Sequence, residues 1–267
     1  MKKLLCALIA LAAVSPLCAQ RYILKDGRVV NHADVTIKDG NLVRPLAGGG
    51  GEVSYPISQV VRLDWPEPEE LEQARGLIVA GKGAEAEEKI TPLYRQFAPF
   101  SKLPGSWWGD AALVRARAIL AQDKTADAER AARELMSGSA DADIVASAQL
   151  IMARVQMNLN KPDIADAMLD EIMRKDSSAE TEARAAILRG DIAFARKEFE
   201  KAIELYLLVP VFYGTEDAVM PVALLGSARS YRGYGDTARA ERAYLDIMVT
   251  YPDSAEAAIA KKESANL

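Results

Sequence analysis

One short pattern recurs five times along this chain: a small residue is followed twelve positions later by alanine. The segments that carry the first small residue are LEQAR, LVRAR, LIMAR, ILRGD and LGSAR, and they start 42, 37, 37 and 38 residues apart. A period of this length that contains two helical stretches is the signature of a solenoid of helical hairpins. The ten small residues are Ala74, Ala86, Ala116, Ala128, Ala153, Ala165, Gly190, Ala202, Ala228 and Ala240.

The small residues have a packing role, because only alanine or glycine lets two helices of a hairpin approach to about 8 to 10 Å. A short turn separates the two helices of each copy: GKG, QDK, LNKPD, RKE and GYGD. The sequence therefore predicts five helical hairpins, and the closing stretch DSAEAAIAKKES predicts a final capping helix.

At these positions the helical part, from Pro66 to about Asp253, resembles the tetratricopeptide repeats. The two last copies carry the resemblance on these residues: Gly190, Phe199, Ala202, Tyr206, Ala228, Tyr231, Gly235, Ala240, Tyr244 and Pro252. The period exceeds the family's roughly 34 residues, and the tryptophan often found early in a repeat is missing. Longer periods of this kind resemble the repeats of bacterial envelope proteins, such as the outer-membrane assembly lipoprotein of the β-barrel machinery and the Tol-Pal coordinating protein.

The first nineteen residues predict an export signal. MKK supplies a positive start, LLCALIALAAV an apolar run too short to span a bilayer, and a cut is expected near Ala19. A lipid anchor on Cys18 is less favoured, because the bulky Leu17 stands where such signals carry a small residue. We therefore expect residues 1–19 to be a cleaved signal peptide and the mature protein to be exported to the periplasm or cell envelope.

Composition excludes several classes of function. Both cysteines lie within residues 1–19, so the mature chain would have no thiol, disulfide or cysteine metal ligand, and redox chemistry is excluded. It would carry 31 basic and 38 acidic residues, a net charge of about −7 that argues against nucleic acid as the main partner. No later apolar run reaches the roughly 18 residues of a transmembrane helix. We expect no cofactor and no metal.

Residues 20–65 predict a small all-β domain ahead of the helical repeat domain, residues 66–267. YILKDGRVV and DVTIKDGNLV each place Asp-Gly between apolar alternations, as tight hairpins do, and EVSYPISQVVRLDW adds one or two strands. Five short strands fit a small barrel or a bent sheet, and the pattern loosely resembles SH3-like and Sm-like barrels. The four glycines from Gly48 to Gly51 predict a hairpin tip, since no Gly-Lys-Ser/Thr ending or helix follows them as in a phosphate loop.

The family resemblance implies that the first helix of each hairpin lines a groove. The position after each small residue holds Arg75, Arg117, Arg154, Asp191 and Arg229. Neighbouring groove positions add Arg184, Arg232 and the acidic Asp110, with apolar residues beside them: Leu113, Leu150, Met157 and Phe194 among others. Such a surface suits an acidic, partly apolar peptide or a chain-end carboxylate, because guanidinium groups bind carboxylates through paired hydrogen bonds.

Two features keep alternative interpretations open. The arginines could instead cover apolar surface with their stems or pair locally, as Arg154 could with Asp191. The insertion FAPFSKLPGSWW, with Phe97, Phe100, Trp107 and Trp108, could be an exposed anchor, but we expect it to be buried where the β domain docks on the first hairpin.

No catalytic constellation is visible. The lone histidine, His32, is predicted to be a surface residue, and the carboxylates of the helices are predicted on solvated faces. The sequence thus predicts a non-catalytic adaptor that binds a protein or peptide partner in a bacterial envelope. The alternative is a self-associating structural or assembly component. A hydrolase or carbohydrate-binding role for the β domain finds no supporting residues.

Overall fold

The computed structural model describes residues 20–174, 177–216 and 218–267. Within them the chain forms two compact units. The first consists of the described residues up to Glu69 together with Arg95–Trp108, and the second of Glu70–Tyr94 together with Gly109–Leu267. The expected signal peptide lies outside the described residues and stays a prediction.

The first unit is the small β region that the sequence predicts. Six strands, one more than predicted, form two antiparallel three-stranded sheets, in the orders β2-β1-β6 and β3-β4-β5. The stretch EVSYPISQVVRLDW supplies two strands, because a turn of 3₁₀ helix at Ile57–Gln59 divides it. The strands are β1 (Arg21–Leu24), β2 (Val29–Asn31), β3 (Thr36–Lys38), β4 (Asn41–Pro45), β5 (Glu52–Pro56) and β6 (Val60–Asp64).

The turns of this unit have, in part, the backbone conformation that the sequence predicts for them. Asp39 and Gly40, between β3 and β4, have φ of 48° and 73°, as a tight Asp-Gly hairpin requires. Between β1 and β2 the loop is longer, and of its Asp-Gly pair Gly27 takes positive φ while Asp26 does not. The residues from Gly48 to Gly51 connect β4 to β5, which are paired in antiparallel register, and so form the expected hairpin tip.

The aromatic insertion completes the core of the β unit. Phe97 and Phe100 are each 1% exposed, with ring centroids 5.1 Å from Trp65 and 5.3 Å from Tyr22, respectively. A backbone hydrogen bond also joins the insertion to β6, since the Leu63 amide donates to the Pro104 carbonyl at 2.9 Å. The alternative of an exposed aromatic anchor at these residues is therefore wrong.

His32, which the sequence predicts to be a surface residue, is half-buried against the same cluster. Its Nδ1 lies 2.9 Å from the Tyr22 hydroxyl, and its ring centroid is 4.6 Å from that of Trp65. Burial lowers the pKa of His32. These contacts are not predictable from the sequence, because Tyr22, His32 and Trp65 come from three separate segments.

The second unit is a helical solenoid, as predicted. Its helices form five successive hairpins and a last single helix, and each packs on its sequence neighbour from α4 onward. The described helices are α1 (Glu69–Val79), α2 (Gly83–Phe97), α3 (Trp108–Leu120), α4 (Thr125–Gly138), α5 (Ala142–Asn158), α6 (Pro162–Arg174), α7 (Ala179–Ala195), α8 (Phe199–Phe212), α9 (Met220–Tyr234), α10 (Thr237–Thr250) and α11 (Ala255–Ser264).

The ten small residues of the repeat are buried, which confirms the packing role inferred for them. The fourth copy shows why one of them is glycine. A Cβ added at Gly190 would lie 2.7 Å from the Tyr206 ring, and one added at Gly226 would lie 2.4 Å from it. The tyrosine of α8 thus fills the space that glycines of α7 and α9 leave open.

The turn between the two helices of each hairpin contains a residue in the left-handed region. These residues follow the first small residue of each copy by seven positions. At four of them the next amide bonds back five residues, as the Asp236 amide does to the Tyr231 carbonyl at 2.9 Å, which is the Schellman ending of a helix. The left-handed residues are Gly81, Asp123, Asn160, Lys197 and Gly235.

Candidate functional site

A cavity of about 540 Å³ lies among the first helices of the hairpins. This volume is within the usual range of ligand pockets, about 300 to 1,000 Å³. Its wall is formed by α1, α3, α5, α7 and α9 with the turn after α3. The lining residues are Ile78, Arg117, Leu120, Ala121, Asp123, Ser147, Leu150, Ile151, Arg154, Asn158, Arg184, Ile187, Leu188, Val219 and Val222.

The structure brings some of the predicted groove residues to this cavity and not others. Arg117, Leu150 and Arg154 line it, together with Arg184 from a neighbouring groove position. Seven predicted residues do not contribute to its lining: Arg75, Leu113, Met157, Asp191, Phe194, Arg229 and Arg232. The predicted groove residues are therefore divided between the cavity and positions outside it.

Arg154 is paired with an acid of the next repeat, as the local-pairing interpretation allows. Its Nη1 donates to Asp191 Oδ2 at 3.2 Å, and the Tyr206 hydroxyl donates to the other carboxylate oxygen at 2.7 Å. Burial and the adjacent Asp191 carboxylate raise the pKa of Tyr206, so its proton stays in this hydrogen bond. The Asp191 carboxylate is thus held by two groups of the protein itself.

Arg229 is occupied more completely, by Glu263 of α11. The guanidinium donates through Nη2 at 2.6 Å to Oε1 and through Nε at 3.0 Å to Oε2. The Tyr244 hydroxyl donates to Oε2 at 2.9 Å, and Arg232 lies 3.9 Å away. The hydrogen bond from Arg229 holds the pKa of the Glu263 carboxyl below its usual value.

The remaining predicted residues outside the cavity also have local partners. Arg75 lies 3.8 Å from both Glu72 and Asp110. Leu113 is buried, and Met157 packs against the core formed by α5, α6 and α7. Phe194 packs against the next core cluster, with its ring 5.6 Å from Phe199.

Arg117 differs from the other arginines of the row. Its side chain makes no hydrogen bond or ion pair with any residue that the structure describes. Burial is the main reason that its pKa falls to about 10, and the positive charges of Arg184 and Arg75 lower it further, while Glu180 acts in the opposite direction. The attraction of an opposite charge brought to this guanidinium would offset both the cost of desolvation and the repulsion from the neighbouring arginines.

The sequence prediction missed residues from two elements, α9 and α11. Val219 and Val222 bring the start of α9 to the cavity, and Glu263 supplies the acid for Arg229. A signal for Glu263 was present, since it follows Arg229 by 34 residues, much as Asp191 follows Arg154 by 37.

Residues 78–208 match the family model of a tetratricopeptide repeat-like domain. This match supports the tetratricopeptide repeat family. The matched segment runs from the end of α1 into α8 and includes Arg117, Arg154 and Arg184. Comparison with curated proteins gave no significant match.

Two further properties concern only the part of the chain that the structure describes. Its helices include none with the length and apolarity needed to cross a bilayer. Its histidine and carboxylate side chains include no group of three or more placed to hold a metal ion.

Proposed function

We propose that this chain is an exported, non-catalytic adaptor of a bacterial envelope, which binds a protein or peptide partner in the cavity among α1, α3, α5, α7 and α9. The cavity itself is the observation that carries the proposal. It combines apolar walls with arginine side chains, it is large enough for several residues of a partner, and most of it lies within the tetratricopeptide repeat-like segment. Repeat arrays present such surfaces to partner proteins.

Export is the second element of the proposal. It is supported by the positive start, the apolar run of eleven residues and the small-residue ending of the first nineteen residues. Expression of the full chain followed by cell fractionation and amino-terminal sequencing tests it. A mature chain that begins at Gln20 in the envelope fraction is expected, and an uncleaved chain in the cytoplasm would contradict export.

The partner is best sought by site-specific crosslinking in living cells. A photoreactive amino acid at Val222, which lines the cavity and is 40% exposed, should trap the partner. The same substitution at Val249, which is 70% exposed on α10 and does not contribute to the lining, is the matched control. Mass spectrometry then identifies what is caught.

The expected result is an adduct from Val222 that Val249 does not give. Identical adducts at both positions, or none at Val222, would contradict a partner in the cavity. An adduct between two copies of this chain would instead support the self-associating component that the sequence also allowed.

A further inference from the structure

The second helices of the last two hairpins, α8 and α10, differ from the other second helices at two positions. These are the residues five and nine places after the second small residue of each repeat, which point about 140° and 180° around the helix from that buried residue. In α2, α4 and α6 they are polar or charged: Thr91, Arg95, Arg133, Ser137, Asp170 and Arg174. In α8 and α10 they are aliphatic: Leu207, Val211, Leu245 and Val249.

These four residues form an exposed apolar surface. Val211, Leu245 and Val249 are 68%, 55% and 70% exposed, and Leu207 is partly buried. Both helices pack on α9, so their equivalent positions lie side by side in the solenoid. Tyr251, which follows α10, packs against the core cluster that contains Val209 of α8, so the ends of the two helices approach each other. The exposed apolar area is on the order of 350 Å², which is the size of a functional patch on a monomer.

An acid and a base border this surface at equivalent positions of the two repeats. Glu204 and Arg242 stand two residues after the small residues Ala202 and Ala240. Both are exposed, and the side chain of neither makes a hydrogen bond or ion pair with a residue that the structure describes. The two helices therefore present the same aliphatic pair next to opposite charges.

This arrangement is complementary to itself under two-fold symmetry. With the axis parallel to α8 and α10 and midway between them, α8 of one molecule faces α10 of a second molecule in the same direction. The facing pairs are then Leu207 with Leu245, Val211 with Val249, and Glu204 with Arg242, and each occurs twice. Antiparallel pairing of α8 with α8 would instead place Glu204 against the apolar end of the other helix, which leaves its charge desolvated and unpaired.

The extent of the surface fits a weak homodimer. An interface at the lower end of the stable range buries about 600 Å² per partner, and somewhat more than half of that area is apolar. The roughly 350 Å² exposed on α8 and α10 supplies the apolar part, and the polar residues around it supply the rest.

We propose that the mature chain forms a two-fold homodimer through the outer faces of α8 and α10. The four aliphatic residues pack on their counterparts, and Glu204 pairs with Arg242 of the second molecule. The inference goes beyond the proposed function, because neither helix contributes to the lining of the cavity. Each molecule of the dimer keeps its own cavity, so the dimer can bind two partners at once.

Sedimentation velocity of the mature chain from about 1 to about 100 μM tests the dimer, and a monomer-dimer equilibrium with Kd in the micromolar range is expected. Val249→Glu places a carboxylate among the apolar contacts and should weaken dimerisation at least about tenfold. Ser137→Glu is the matched control and should leave the affinity unchanged. Ser137 is exposed at the equivalent position of α4 and, like Val249, is the last residue but one of its helix.

Charge reversal at Glu204 and Arg242 tests the symmetry of the contact. Glu204→Arg and Arg242→Glu each place like charges opposite one another and should weaken the dimer about fivefold or more at low salt. The double substitution restores opposite charges at both contacts, so its Kd should return to within about twofold of the wild type. Both side chains are exposed, so circular dichroism should be the same in every variant.

A chain that stays monomeric at about 100 μM would overturn the inference. So would a dimer that Val249→Glu leaves intact, or a double reversal that binds as weakly as the single ones. In cells, a photoreactive amino acid at Val249 should trap a second molecule of this chain, and an adduct with a different protein alone would assign this surface to that protein instead. A monomeric chain with a partner trapped at Val222 would keep the proposed adaptor and remove only the dimer.

Discussion

The Glu263 carboxylate is held by Arg229 through two of the guanidinium nitrogens, at 2.6 and 3.0 Å, across the interface between α9 and α11. Tyr244 of α10 donates to the same carboxylate. The capping helix is therefore joined to both helices of the last hairpin by one side chain. Glu263 is thus the partner of the arginine that follows the small residue in the last repeat.

Glu263→Gln should lower the free energy of unfolding by about 1 kcal/mol. The substitution keeps the shape of the side chain but turns charge-assisted hydrogen bonds into neutral ones, and the partial exposure of Arg229 limits the loss. Urea unfolding followed by circular dichroism measures it. Glu256→Gln, in the first turn of the same helix, is the control for loss of an acid from α11. Equal effects of the two substitutions would contradict a specific role for Glu263.

The contribution of Glu263 should depend on pH. Its pKa in the folded chain is below the ordinary value of 4.5, so the unfolded chain binds the proton at a higher pH than the folded one. The stability from this pair is therefore fully present above about pH 4.5 and is lost as the pH falls through the lower pKa of the folded state. The difference between the wild type and Glu263→Gln should shrink over that interval, and a constant difference from pH 7 to pH 3 would contradict the assignment.

Gly190→Ala and Gly226→Ala should each destabilise the chain by about 1 to 3 kcal/mol. A methyl group at either position would meet the Tyr206 ring at less than 3 Å, so the ring or a helix would have to move. Gly76→Ala is the matched control, because it lies within α1 and nothing is within 4 Å of its added Cβ. That substitution should stabilise by about 0.5 to 1 kcal/mol through helix propensity. Thermal unfolding of the three variants separates the two effects.

Lys197→Gly should stabilise the chain by roughly 1 kcal/mol. Lys197 takes φ of 62° in the turn after α7, where a side chain is strained and glycine is not. The reciprocal change is Gly235→Ala in the equivalent turn after α9, where φ is 93° and the substitution should cost a similar amount. Differential scanning calorimetry gives both values. A destabilising Lys197→Gly would mean that contacts of the lysine stem outweigh the strain.

The helical part of the fold could be predicted because its signal is local and repeated. Ala153 and Ala165 define one hairpin, and the same spacing in four other copies makes the period unmistakable. The left-handed turn residues were equally predictable, since Gly81, Asn160 and Gly235 stand seven positions after a small residue. Each of the three lies within a turn that the sequence predicts: GKG, LNKPD and GYGD.

The distribution of the aromatic residues could not be predicted in the same way. Phe97 and Phe100 follow a helical segment of the second unit but complete the core of the β unit, beside Tyr22 and Trp65. Periodicity indicates which face of a helix is apolar and says nothing of the element that covers it. The contacts of His32 with Tyr22 and Trp65 could not be predicted either, because they depend on how three separate segments come together.

Prediction of the candidate site was limited in a similar way, as the arginines that follow the small residues show. Repeat alignment placed Arg117, Arg154 and Arg229 at equivalent positions, and the structure agrees. Which of them is paired depends on the residue opposite each one on the next helix but one: Asp191 of α7 for Arg154 of α5, and Glu263 of α11 for Arg229 of α9. That residue is set by how the helices cross, which the alignment alone does not specify.

Ala165→Leu should destabilise the solenoid by about 1 to 3 kcal/mol, because Ala165 is fully buried where α6 packs on α5 and α7 and the larger side chain has no space. Ala167→Leu, on the exposed face of the same helix, is the matched control, and its effect should stay within about 0.5 kcal/mol. Urea unfolding compares the two. Equal tolerance of leucine at both positions would mean that the helices do not meet through their small residues, and the explanation of the repeat would fail.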